Sequence, residues 1–228
     1  MERHFDQELE ALKEQLLRMG GRAEAIIQKA IEALKRREPM LAEEVIEDDK
    51  AIDRMEIDIV ERCISLLALR QPMAVDLRFI TAALKITNDL ERVGDHAANI
   101  AQSALKLSPL PPLKPLVDIP RMADMASSML HEALDAFVKR DAATARRLVR
   151  RDDEVDDLNR QLFRELVSFM IEDPSTITRA MELVLVARNL ERVADLATNV
   201  AEEVVFIAEA RIIKHHAEDA GLGEFGRT

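Results

Sequence analysis

Four pairs of carboxylates, each spaced four residues apart, carry the chemistry open to this sequence: Asp49 with Asp53, Glu91 with Asp95, Asp152 with Asp156, and Glu191 with Asp195. A four-residue step turns a helical side chain by only about 40°, so each pair lies along one side of its helix. Asn99 and Asn199 extend the Glu91 and Glu191 rows by one more step. Acids so placed repel by roughly 0.2–0.5 kcal/mol when exposed, and by more when a facing helix brings two others close. A cation relieves that repulsion. Oxygen-only ligands favour Mg²⁺, Mn²⁺, Ca²⁺ or iron over a zinc site built from cysteine and histidine, but they do not fix the metal, and Mg, Mn, Fe and Zn are not distinguished.

Acidic pairs at this spacing are common when 43 of 228 residues are Asp or Glu, so a single pair carries no weight. The four gain weight from their register, which reflects an internal duplication. Leu90-Glu91-Arg92-Val93-Gly94-Asp95 returns as Leu190-Glu191-Arg192-Val193-Ala194-Asp195, and Asp49-x-x-x-Asp53 as Asp152-x-x-x-Asp156. The first copy holds three extra residues between its pairs, at the Arg70-Gln71-Pro72-Met73 corner, whose shorter counterpart is Glu172-Asp173-Pro174.

The elements that must position these rows follow from hydrophobic period. A first helix runs from Phe5 to Arg36, with Gly20-Gly21 expected to bend it. Pro39 opens a second, in which Val45, Ile52, Ile59 and Leu66 recur every seven residues. Pro72 separates it from a third, striped by Phe79, Ala83, Ile86, Leu90, Val93, Ala97, Ile100 and Ala104. Asp118 is the expected cap of a fourth, ending near Arg140, and Asp141 caps a fifth that runs to about Ile171. The sixth starts at Asp173-Pro174 and reaches about Lys214. The expected fold is all-α: two tandem, pseudo-repeated three-helix bundles, six long helices, up-down-up in each. The first bundle spans 1–107, a proline-rich linker 108–117, the second bundle 118–216, and a C-terminal tail 217–228.

Composition narrows the function. A net charge of −11 with no basic stripe argues against nucleic acid. The charged start has no signal-peptide core and no apolar run reaches the ~20 residues of a membrane span, so a cytoplasmic protein without membrane insertion is expected. Cys63, the single cysteine, reads as a small buried hydrophobe. His96 has Leu196 as its equivalent and reads as a surface histidine, and His215-His216 as solvated. Arg92 and Arg192 read as salt-bridge partners of nearby acids. The Glu-x-x-His element of di-iron bundles is missing, because Gly94 and Ala194 stand three residues beyond the glutamates. Catalytic triads and phosphate loops are absent from the pattern, so ordinary nucleotide hydrolysis and covalent catalysis lack their parts, and no enzyme of those kinds is expected.

Three segments together resemble the PhoU family of phosphate-specific transport system accessory proteins: Val45-Ile46-Glu47-Asp48-Asp49-Lys50-Ala51-Ile52-Asp53, Arg70-Gln71-Pro72-Met73-Ala74-Val75-Asp76-Leu77-Arg78-Phe79, and Leu90-Glu91-Arg92-Val93-Gly94-Asp95-His96-Ala97-Ala98-Asn99-Ile100. The resemblance covers roughly Leu9 to Ala210. It implies a cytoplasmic negative regulator of phosphate uptake and phosphate-starvation signalling that acts as an adaptor between the ATPase subunit of the phosphate ABC transporter and a sensor histidine kinase, and that forms a homodimer. It also implies divalent metal or multinuclear iron clusters on the four acidic pairs, with Asn99 and Asn199 as additions. The corner from Arg70 to Arg78 lacks an equivalent in the second copy and is a candidate contact surface. Two rival readings stand beside this one, a metal-dependent phosphohydrolase and a metal-free helical scaffold.

Overall fold

The computed structural model describes residues 2–211, with side chains from residue 4 onward. They form α1 (Glu2–Arg36), α2 (Pro39–Arg70), α3 (Ala74–Leu107), α4 (Asp118–Lys139), α5 (Ala142–Val149), α6 (Asp152–Glu172) and α7 (Ile177–Glu209), with a 3₁₀ turn at Pro174–Thr176. Among the described residues there is no strand. The all-α architecture of repeated three-helix bundles is what the chain adopts, with the fifth expected helix split into α5 and α6. The expected helix end near Lys214, the boundary at 216, the tail 217–228 and His215-His216 lie outside the described residues.

The split falls where the charge changes sign. Arg146 and Arg147 fill the last turn of α5, whereas Asp152, Asp153 and Glu154 fill the first turn of α6. A helix C-terminus favours cations and an N-terminus anions, by about 0.3–1 kcal/mol each, so this order of charges favours a helix end followed by a helix start. Asp141 accepts hydrogen bonds from the Ala143 and Thr144 amides and starts α5, as expected. Asp173 does the same for the 3₁₀ turn through the Ser175 amide. Asp118 is the first residue of α4 rather than its cap. It accepts from Lys114 instead, at 3.2 Å.

Helix direction can be followed through the cross-links. Glu8 with Arg70, Gln15 with Arg62 and Lys29 with Asp48 run α1 against α2. Lys85 with Glu203, His96 with Asn189 and Lys106 with Glu182 run α3 against α7, again antiparallel. Gln28 with Ser127 and Glu24 with His131 do the same for α1 and α4. Helices α3 and α7 therefore form the seam between the copies, and one continuous hydrophobic cluster extends from Leu12 to Ile207 through both. The expected α3 stripe is buried throughout, but Ile80, Ala82, Ala98 and Ala101 are buried as well, because α3 meets helices on two sides.

Helix α1 is unbroken across Gly20-Gly21. Gly20 marks a close approach: a Cβ there would sit 2.2 Å from Leu134 Cδ1 on α4. Cys63 is fully buried and its thiol is pushed up to about 12 by burial, which fits its reading as a core residue.

Candidate metal centre

Helix α2 packs on α3, and α6 on α7, so each copy sets its two acidic rows on adjoining helices. In the first copy Asp49, Asp53 and Glu91 are half-buried while Asp95 is exposed. Burial pushes Asp49 up to about 6, with the Asp53 and Asp95 charges adding to it. Burial likewise pushes Glu91 up to about 7, helped by Asp95, Glu56, Asp53 and Asp49. The mutual repulsion expected from the spacing is thus felt across the two helices.

The second copy repeats this with a variation. Asp152 is pushed up to about 7, first by burial and then by the charges of Asp195 and Asp156. Glu191 is raised by burial, Asp195 and Asp156, against the pull of Arg188 and Arg192. Asp195 is raised by burial and by Asp156. Asp152 belongs to the first turn of α6, whereas its equivalent Asp49 lies well inside α2. Arg92, Arg188 and Arg192 line a cavity of about 500 Å³ beside Asp152, Glu191 and Asp195.

Two observations bear on whether these residues suit a cation. Asp49 Oδ1 and Asp152 Oδ1, at equivalent positions in the two copies, are both buried with no hydrogen-bond partner. A buried acceptor left unpaired costs about 1–3 kcal/mol, more when charged, and an ion satisfies it. Gly94 makes room for the first of them, since a Cβ there would lie 2.4 Å from Asp49 Oδ1. The donor set is therefore chemically suited to a hard cation. Among the described residues, however, no group of three or more His, Cys, Asp and Glu side chains converges closely enough to hold one as it stands. The rows lie on adjoining helices.

The two asparagines do not behave alike. Asn199 hydrogen-bonds to Asp89 across the α3–α7 seam, and so serves the contact between copies. Asn99 is exposed. His96 is half-buried rather than on the surface, with Nδ1 2.9 Å from Asn189 Oδ1 and its pKa lowered mainly by burial. Its place is explained by the seam, which the single-helix view of its neighbours cannot show. Arg92 approaches Asp89 at 3.8 Å, a loose ion pair. Arg70 grips Glu8 with two 2.8 Å bonds, so this part of the candidate corner is tied to α1.

Sequence reasoning passed over two residues. Glu56 continues the Asp49–Asp53 row by a further turn and adds to the charge at Glu91, and its seven-residue spacing from Asp49 was the available signal. Asn159 stands at the matching place in the second copy, making that centre one acid poorer. The other is Gly94, a glycine inside a helical pattern, where its cost of about 1 kcal/mol relative to alanine signals a packing reason.

Comparison with known proteins accounts for the duplication. The PhoU domain profile matches twice, over residues 16–104 and 119–204. The chain is 46% identical over 215 residues to the phosphate-specific transport system accessory protein PhoU homolog of Aquifex aeolicus (strain VF5), covering 94% of this chain and 97% of that one. It is 42% identical to the homolog of the same description from Caulobacter vibrioides (strain NA1000 / CB15N), over 89% of this chain and 88% of that one. The crystal structure of PhoU from Pseudomonas aeruginosa superposes with a TM-score of 0.87 at 38% identity, covering 91% of this chain and all 100% of the other. That of the phosphate transport system regulatory protein PhoU from Streptococcus pneumoniae gives 0.85 at 30% identity, over 92% and 99%. With both halves matched and the relatives spanned almost end to end, the chain belongs to the PhoU family.

Proposed function

We propose that this chain is a cytoplasmic regulatory adaptor that restrains phosphate uptake and phosphate-starvation signalling, and that it binds divalent metal or iron through its two acidic centres rather than catalysing a reaction. The names of its relatives support the phosphate-transport assignment. The observation that carries the metal reading is the matched pair of unpartnered buried oxygens, Asp49 Oδ1 and Asp152 Oδ1. A cation at each would be held by Asp49, Asp53, Glu91 and Asp95 in one copy and by Asp152, Asp156, Glu191 and Asp195 in the other. It would cancel the carboxylate repulsion and fix α2 against α3 and α6 against α7. Such an ion supplies rigidity and charge neutralisation, and the protein's own helices supply the surfaces a partner reads.

The partners proposed are the ATPase subunit of the phosphate ABC transporter, a sensor histidine kinase and a second copy of the chain. Among the described residues no helix is long and apolar enough to cross a membrane. The unconverged carboxylates favour a second reading, a scaffold that works without metal. Equilibrium titration of chelator-treated protein with Mn²⁺ or Fe²⁺, alongside Asp49→Asn and Asp152→Asn, separates the two. The metal reading expects saturable binding that each variant weakens. Titration curves indistinguishable between wild type and the double variant would leave the scaffold. The adaptor assignment is tested on its own by capturing the transporter ATPase from extract with wild-type protein, and it fails if capture is no better than with an unrelated helical protein.

A further inference from the structure

A cavity of about 410 Å³ lies where the ends of α1 and α3 and the start of α7 meet the 108–117 connector. That size falls within the roughly 300–1,000 Å³ typical of small-molecule sites. Its lining includes four basic side chains, Lys35, Arg37, Lys114 and Arg179, and no acidic one. In a chain of net charge −11 this is a local reversal of sign.

Two of the four cations are already neutralised. Lys35 pairs with Glu32 at 2.9 Å, and Lys114 with Asp118 at 3.2 Å and also with Glu165. Arg37 and Arg179 are held differently. Arg37 donates to the main-chain carbonyls of Leu107, Ser108 and Leu110, and Arg179 to that of Pro111 at 3.2 Å. Among the described residues neither has a carboxylate at ion-pair distance, although Arg179 lies close enough to Asp173 for the two charges to attract. Carbonyl oxygens fix a guanidinium in place without cancelling its charge, and both side chains retain donors for a further acceptor. Arg37 reaches this position from a left-handed backbone, φ 58°, a conformation costly for a non-glycine residue that persists only where its surroundings hold it.

The remainder of the wall is aliphatic. Leu34, Leu107 and Leu183 are buried beneath it, and Leu113 and Leu116 fold over it from the connector. No aromatic ring is present to stack a base or a sugar. We propose that this cavity binds a small aliphatic anion, with a carboxylate or phosphate head on Arg37 and Arg179 and an alkyl body against the leucines.

Isothermal titration of the full-length protein, held in chelator so that the acidic centres play no part, provides the test. The probes are dodecanoate, dodecyl phosphate, dodecanol and dodecyltrimethylammonium, each below its micelle concentration. At least one anion is expected to bind with one-to-one stoichiometry, and about tenfold or more tightly than the alcohol or the cation. The two anion arms identify the preferred head group. Arg179→Gln, at a partly exposed position, is expected to weaken anion binding by about tenfold, in line with a lost charge-assisted bond, while Arg179→Lys retains most of it. A photoreactive diazirine analogue of dodecanoate should label residues 107–116. Equal affinity for the alcohol or the cation, absence of saturable anion binding, labelling elsewhere, or unchanged affinity in a normally folded Arg179→Gln would each overturn the assignment.

Discussion

The raised carboxyls give the protein an unusual dependence on pH. Glu24, Asp49, Asp89, Glu91, Asp152, Glu191 and Asp195 all titrate above their ordinary range, with burial as the first cause in each. Unfolded Asp and Glu titrate near about 3.9 and 4.3, so between about pH 4 and 7 the folded chain binds more protons, and its stability falls as pH rises. His96, held low by burial, acts in the opposite sense, but it is one group against seven. Carboxyls held low, such as Asp141, lose their contribution only as pH falls through the acid range, outside this window. Without metal, the melting temperature should be higher at pH 5 than at pH 8, and Asp152→Asn should reduce the difference. A melting temperature that climbs steadily to pH 8 would contradict the carboxyl environments described. Gly94→Ala supplies a second residue-scale prediction. Its Cβ would intrude on Asp49 Oδ1, so Mn²⁺ binding in the first copy should weaken severalfold by titration, even though alanine gains about 1 kcal/mol in helix propensity. The acidic rows could be read from spacing alone because a helix fixes angles within itself. The engagement of Asn199 with Asp89 could not, since it depends on a partner helix 110 residues away in the duplicated copy.

Among the elements, the α5–α6 break shows what periodicity misses. The apolar spacing passes through Arg150–Arg151 undisturbed, and the information lies instead in charge order, basic before the break and acidic after it. The break also makes α5 only eight residues long, too short to persist without its cap and its packing on α7. Asp141→Ala should therefore cost about 1 kcal/mol, within the 0.5–2 kcal/mol range of lost caps. For a chain of this size that corresponds to a fall of about 2–4 °C in melting temperature by calorimetry. No measurable fall would mean that α5 owes its start to Leu148 and Ala145 packing alone. Gly20 teaches a related point: a glycine pair on paper signals flexibility, while Gly20 here marks contact with Leu134 on another helix.

Considered whole, the molecule has two copies but a shared interior. The prolines between Ser108 and Pro115 signalled a division of the chain, and the helices do stop there. What the linear pattern could not show is that α3 and α7, each the last helix of its copy, turn inward on each other and merge the two cores. We expect one cooperative unfolding transition, coincident by calorimetry and circular dichroism, and two resolved transitions would show that the copies are thermodynamically separate. The placement of glycine leads to a further conclusion. The helix exits at Arg37, Gln71, Arg140 and Ala210 all adopt left-handed backbone without a glycine, while Gly20, Gly21 and Gly94 occupy helix interiors, where they weaken the helix. Gly20 and Gly94 exchange helix propensity for nearness: rod against rod at Leu134, and an acid pressed to a backbone at Asp49.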